Sequence, residues 1–271
     1  MMKISNLWSL VAVSAALCAC SNDGLETGKG KIQLTLSNGN FFETATKSVN
    51  ESAYRDTDDY DVVVTNVNGK EVIKCKGSDL GSALPKELEM GSYDIVASYG
   101  KESDASRDDF YVEGSTSIVL KPKDVVPVSL VCTPTCGRIS VVFTPEMATY
   151  YKDYYIAFSG TRALGSKVIT YAKGDTEPWY VKLSEDRMGE EISYTLALTV
   201  KEDYQHRDAD GSVKTNAKVE GKFTLLRNKA QKLTVKPNYT PQTDGGMGLT
   251  ITIDDSTVDR PVNIEVPVSW I

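Results

Sequence analysis

The residues of this chain that could do chemistry are few and scattered. The one histidine, His206, lies in the polar run Gln205-His206-Arg207-Asp208-Ala209-Asp210-Gly211-Ser212. Any Ser-His-Asp or Cys-His pair would have to use it, yet no flanking serine or cysteine marks a nucleophile elbow. A solvated loop residue is the reading that its surroundings favour. Asp208-Ala209-Asp210-Gly211 begins like a calcium loop, but a third acidic ligand is missing and Val219 stands where the closing Glu belongs. Asp56, Asp58, Asp59 and Asp61 read as a solvated acidic loop before they read as a cation site. Cys132-Thr133-Pro134-Thr135-Cys136 offers half a zinc site with no second cysteine pair to complete it. Its three-residue gap also departs from the two-residue gap of redox-active cysteine pairs. Tyr150, Tyr151, Tyr154 and Tyr155 fit alternating core and rim positions better than a sugar-binding platform. Paired carboxylates for glycoside hydrolysis need only spatial proximity, so sequence is silent on them. No catalytic, metal or cofactor residue is assigned, and the chain reads as non-enzymatic.

The N-terminus carries the most specific signal. Lys3 gives a short positive region, and Leu7 to Leu17 is an almost unbroken apolar run of signal-peptide length, too short to span a bilayer. It ends in Leu17-Cys18-Ala19-Cys20 and gives way to polar Ser21-Asn22-Asp23-Gly24. This resembles a bacterial lipobox, in which an aliphatic residue and two small residues precede the cysteine that is lipidated. Residues 1–19 are therefore expected to be a signal peptide, and Cys20 the acylated first residue of a tether over residues 20–30. The membrane partner then acts through lipid on Cys20, and the expected location is the outer membrane, on its periplasmic or its surface face.

Removal of residues 1–19 leaves 252 of 271 residues and takes away one lysine and no acid, so the formal net charge moves from −7 to −8. That length is comfortable for two domains. A mildly acidic chain argues against nucleic acid as a partner and against adsorption to anionic lipid head groups, so membrane attachment is expected to come from the acyl chains. Cys75, Cys132 and Cys136 remain after processing, so one disulfide at most can form. A Cys132–Cys136 loop disulfide and three buried thiols both stay open.

Alternation of apolar and polar residues dominates the rest. Lys31 to Ser37 alternates strictly. Asp61 to Val67, the turn Asn68-Gly69 and Val72-Ile73 form a hairpin signature. Ser92 to Tyr99, Thr116 to Leu120 and Val125 to Cys132 follow as strands. Later strands are expected at Ile139–Phe143, Tyr154–Phe158, Lys167–Tyr171, Trp179–Leu183, Ile192–Val200, Gly221–Leu226, Ala230–Val235, Leu249–Ile253 and Val262–Val268. Short helical turns are expected at Pro145–Tyr151 and Ser184–Met188. The polar stretch between Ser37 and Asp61 reads as a long mobile loop. Strands at this spacing mark an all-β sandwich class, with a domain boundary near Thr133 to Gly137. The expected division is a sandwich over residues 31–135 and another over 136–271. The last strand alternates cleanly and is expected to seal its own domain rather than a neighbouring molecule, with Pro267 at an edge.

Leu88-Glu89-Met90-Gly91-Ser92-Tyr93-Asp94-Ile95-Val96-Ala97-Ser98-Tyr99-Gly100 resembles a motif of transthyretin-like and prealbumin-like modules, in which an apolar residue, a Gly turn and a Tyr precede an alternating strand. Together with Val128 to Cys132, Thr149 to Gly160 and the block from Leu249 to Ile271, it makes the chain similar to a Bacteroidetes-type outer-membrane lipoprotein family that carries a domain of unknown function. Its organisation resembles that of fimbrillin-like proteins. The resemblance implies two tandem transthyretin-like or Ig-like β-sandwiches and a role in adhesion or pilus-like assembly. The alternative is a lipoprotein that captures a glycan or nutrient. Protein and glycan both stay open as partners.

Overall fold

The computed structural model describes residues 28–39, 41–42, 49–184, 189–207, 210–238, 248–255 and 262–266. The signal sequence and Cys20 lie outside the described residues. Among the described residues the only α-helical pieces are two four-residue turns, Leu80–Ala83 and Met147–Tyr150, and no helix is long and apolar enough to cross a membrane.

The first half contributes β1 (Lys29–Asn38), β2 (Asp61–Asn66), β3 (Glu71–Lys76), β4 (Lys86–Glu89), β5 (Gly91–Gly100), β6 (Ala105–Ser106), β7 (Tyr111–Leu120) and β8 (Val125–Pro134). All but β6 join one sheet in the order β3-β2-β5-β7-β8-β1-β4. Where a sandwich stacks two sheets, this sheet curls into a half-barrel. The cause is the length of β8: it runs parallel to β1 from Val125 to Cys132, then pairs with β7 at Thr133 and Pro134. The alternation in the sequence supplies the inner face, with Ile32, Leu34, Val62, Val64, Ile95, Ala97 and Leu130 buried. The β2–β3 hairpin forms where the Asn-Gly signal places it, through a four-residue loop in which Gly69 N donates to Asn66 O at 2.9 Å and only Gly69 takes a positive φ, +74°, a conformation that costs glycine little. Tyr93 donates from its hydroxyl to Glu89 O at 2.7 Å, which ties β5 to the turn before it.

Of the stretch between Ser37 and Asp61, where a long loop is expected, residues 40 and 43–48 lie outside the described residues and the remainder is partly packed. Phe41, Phe42, Val49, Glu51, Tyr54 and Tyr60 are buried, and two 3-10 turns, Ala53–Arg55 and Thr57–Asp59, hold the segment against the core. Asp56 is a capping residue here, its carboxylate accepting from Asp58 N at 3.1 Å, and Asp61 pairs with Lys76 at 2.8 Å. Irregular backbone tied down by large apolar side chains leaves no periodic signal to read.

The second half contributes β9 (Cys136–Phe143), β10 (Tyr151–Ser159), β11 (Ile169–Ala172), β12 (Trp179–Lys182), β13 (Gly189–Val200), the short pair β14 (His206–Arg207) and β15 (Val213–Lys214), β16 (Asn216–Leu226), β17 (Ala230–Asn238), β18 (Gly248–Asp255) and β19 (Val262–Val266). Two sheets, β11-β10-β13-β16 and β19-β18-β17-β9-β12-β6, enclose a second core that includes Ile139, Ile156, Phe158, Tyr171, Leu196 and Leu233. In each half the first strand pairs in parallel with a late one: β1 with β8, and β9 with β17. β19 pairs with β18 of the same chain and forms a sheet edge.

Candidate functional site

The place where the two cores meet holds the most unusual chemistry among the described residues. A single residue, Thr135, separates β8 from β9. Its N–H and its hydroxyl both donate to Tyr111 O, at 2.9 and 3.2 Å. Immediately beyond it, Cys136 and Gly137 have left the first sheet and pair with Lys182 and Val181 of β12. A second crossing runs the other way. After Gly100, residues 101–110 leave the first sheet, and β6 adds itself to the far side of β12 through Tyr180↔Ser106 and Val181↔Ala105. Gly100 sits at φ +88°, and a Cβ there would stand 2.0 Å from Phe110 O, so only glycine lets the outgoing and returning limbs lie this close.

Between these crossings Glu51 and Arg138 form a buried ion pair. They are 5% and 3% exposed. One guanidinium nitrogen of Arg138 donates to both carboxylate oxygens of Glu51, at 2.8 and 3.1 Å, and the Tyr180 hydroxyl donates to Oε1 at 2.5 Å. The guanidinium also lies 5.1 Å from the centroid of the Phe42 ring. Charges removed from water in this way are tolerated when they are paired with each other, and removal of one leaves the other uncompensated. Around the pair, Phe42, Phe110 and Tyr180 pack ring to ring, and Tyr54 stacks on Phe110 at 3.9 Å. Glu51 and Phe42 come from the segment before β2, Phe110 from the second crossing, Arg138 from β9 and Tyr180 from β12. Four separate stretches of chain therefore build one junction.

A second cluster closes the outer side of the crossing. Arg107 lies between two rings, its guanidinium carbon 4.9 Å from the centroid of Tyr171 and 4.8 Å from that of Trp179. It donates to Thr170 O at 2.7 Å and to the Asp175 carboxylate at 2.9 Å. The Ala172 N–H and then Arg107 hold the Asp175 carboxyl below the ordinary aspartate value. Lys167 pairs with Asp104, and Lys182 with Glu102.

The candidates from the sequence fall elsewhere. Cys20 lies outside the described residues, as do Asp208 and the side chain of His206, although the backbone of His206 belongs to β14. The Asp210 carboxylate accepts from Ser212 N at 2.8 Å within its own turn. Tyr151 and Tyr154 are buried in the second core, Tyr150 packs edge-on against Tyr204, and Tyr155 is exposed. Tyr155 borders a shallow groove of about 370 Å³ on the outer face of β10, β13 and β16, together with Asp153, Thr199, Asn216 and Lys218. Cys75, Cys132 and Cys136 form no disulfide. Burial pushes the Cys132 thiol up to about 11 and that of Cys136 higher, so neither is a thiolate at neutral pH. Among the described residues no group of three His, Cys, Asp or Glu side chains is placed to hold a metal ion.

Sequence reasoning singled out neither Glu51, Arg138 nor Arg107. The one available signal was the density of aromatics, Phe41, Phe42, Tyr54 and Tyr60, in a stretch otherwise polar enough to be a loop.

No curated protein matches the chain. Among solved structures it is similar to a fimbrial assembly protein from Parabacteroides distasonis, at 11% identity and a TM-score of 0.42, with 88% of this chain and 100% of that one covered. It is also similar to the fimbrial anchor protein Mfa2 from Porphyromonas gingivalis, at 12% identity and a TM-score of 0.38, with 87% and 99% covered. At these identities and scores the likeness is a remote one of overall shape. The profile of the family described as domain of unknown function DUF4493 matches residues 28–268, and the chain belongs to that family.

Proposed function

We propose that this protein is a non-enzymatic lipoprotein of the outer membrane, held by acyl chains on Cys20, that serves as a structural or adhesive component of the cell envelope in the manner of fimbrillin-like proteins. In this reading residues 31–135 and 136–271 are tandem domains derived from transthyretin-like or Ig-like sandwiches, joined without a flexible linker. The observation that carries the reading is the junction. The chain crosses twice between the cores, and the buried charges Glu51 and Arg138 are spent on holding them together, where an enzyme would keep such groups poised at a cleft. A part that must pass force along its length gains from such a joint. The test is deletion of the gene followed by measurement of cell adhesion and surface-fibre assembly. Wild-type protein should restore both, and a Cys20→Ala protein, released from the membrane fraction, should restore neither. Normal adhesion and fibres in the deletion strain would sink the proposal.

A second reading, capture of a glycan, draws on exposed Tyr155 beside the polar groove residues Asp153, Asn216 and Lys218. An aromatic face flanked by hydrogen-bonding groups is the chemistry that sugars need. Tyr155→Ala should then abolish retention on a glycan array while the protein stays folded.

A further inference from the structure

Four of the ten exposed large apolar side chains among the described residues gather at the end of the half-barrel remote from the junction. The last described residues before the tether, Gly28 to Lys31, are clamped between two turns. Met90 N donates to Gly28 O at 2.8 Å, Lys123 N to Lys29 O at 2.7 Å, and Lys31 N to Asp124 O at 2.7 Å. A Cβ on Gly28 would stand 2.5 Å from Pro122, so the chain enters β1 in close contact with the β7–β8 turn. The strand registers bring the β2–β3 hairpin, the β4–β5 turn and the β7–β8 turn to this same end, since Asn66 faces Tyr93, Gly91 faces Leu120 and Lys31 faces Val125. Large apolar side chains point outward here: Val67 is 77% exposed, Val119 64% and Val125 58%, with Met90 beside them. Val119 faces Ser92, and Val67 follows Asn66 on the next strand, so the two valines share an outward row beside inward-pointing Tyr93. Lys29, Lys31, Lys70, Lys86, Lys121 and Lys123 lie at this end with the acidic Glu71, Glu87, Glu89, Asp94 and Asp124, and Lys29 and Lys31 pair with Glu89 and Glu87. This end is therefore net positive in a chain whose overall balance is −7.

We infer that this end rests on a phospholipid surface, with its valines and Met90 in the head-group layer and its lysines on lipid phosphates, so that the second core points away from the membrane. The inference rests on the reading of Cys20 as the lipid anchor. Eight residues from Cys20 to Gly28 reach at most about 28 Å when fully extended. β1 carries the chain about 33 Å further before the second core begins. The patch is thus the part of the molecule that the tether keeps beside the bilayer. Exposed apolar tips ringed by lysine match an anionic lipid interface, where each lysine near the surface adds attraction and apolar side chains add burial. The patch also orders the molecule: lipid contact at one end, the locked junction in the middle, and the second core outermost.

The test uses the acylated full chain in phosphatidylethanolamine–phosphatidylglycerol vesicles that carry spin-labelled lipid. With Cys75→Ser removing the accessible thiol, a fluorophore is placed at Val67→Cys or, as a control on β9, at Val142→Cys. Unchanged thermal unfolding of each labelled chain confirms its fold. Lipid should quench the label at position 67 and leave that at 142 bright, and Lys121→Glu with Lys123→Glu should reduce the quenching several-fold. Flotation with the vesicles but no quenching at 67 overturns the docking and leaves the anchor standing. Quenching at both positions shows a molecule lying flat and overturns the orientation. Failure to float overturns anchor and docking together.

Discussion

The two ends of the half-barrel handle charge and apolar surface in opposite ways. At the junction, Glu51 and Arg138 are shut away from water among Phe42, Phe110 and Tyr180. At the far end, valines stand in water among lysines. Burial of charge costs stability unless each group is paired, and exposure of large apolar side chains gains nothing for the fold. The contrast teaches which end serves the fold and which is left available to something outside it. Substitutions at the junction should therefore change stability strongly, and substitutions at the far end should barely register.

The largest effect is expected from Arg138→Met. It strands the Glu51 carboxylate in an apolar setting with only Tyr180 as donor, and should cost about 3–5 kcal/mol in urea denaturation. Glu51→Met combined with Arg138→Met removes both charges and should recover most of that loss. If the double variant is as unstable as the single one, the pair is not the source of the effect and packing of the arginine stem is. Because the junction belongs to both cores, the wild-type chain should also unfold in one transition, with fluorescence and circular dichroism coincident.

Gly100→Ala comes next. The alanine would need φ near +88° and would drive its Cβ into Phe110 O. Backbone strain of this kind costs about 1–3 kcal/mol. The loss should fall on the crossing segment, so protease cleavage between residues 101 and 110 should accelerate before global unfolding does. A fully stable Gly100→Ala protein would show that the crossing can relax, and that the two cores are less tightly interlocked than the hydrogen bonds indicate.

The first sheet was far more legible in the sequence than this junction. β1, the β2–β3 hairpin and β5 announce themselves because one face is buried and the other solvated, which stamps a period of two on the chain. The junction has no such period. Phe42, Glu51 and Tyr54 sit on irregular backbone and are buried by contacts with residues 56 to 138 positions away, such as Phe110, Arg138 and Tyr180. The run from Lys101 to Asp109 looks like an exposed polar loop, and only the position of β12 turns Ala105 and Ser106 into a strand. Pairing in space, rather than local propensity, decided these elements, and a single sequence carries little trace of it. The curl of the first sheet was hidden for the same reason, since it follows from β8 changing partners partway along its length.

A smaller effect is expected at the outer cluster. Arg107→Ala removes a guanidinium stacked between Tyr171 and Trp179 and should cost about 1 kcal/mol. The partner Asp175 gives the pH signature. Its carboxyl is held below the ordinary aspartate value, so the stability it contributes is present above about pH 4 and is lost as the pH falls through the lowered folded value. Asp175→Asn should therefore flatten the acid limb of the stability profile while leaving neutral pH less affected. An unchanged acid limb would assign the acid sensitivity of the protein to other carboxylates.

The smallest effect on stability is expected at the far end, and its smallness is the point. Val67→Asp and Val119→Asp change side chains that are already in water. Surface substitutions of this kind normally stay within about 0.5 kcal/mol. If the valines are held for an external surface, these variants should unfold at the wild-type urea concentration yet lose contact with lipid. A loss of about 2 kcal/mol or more would mean that the valines pack against something within the chain itself. The two ends would then no longer differ in kind, and the far end would have to be read as part of the fold.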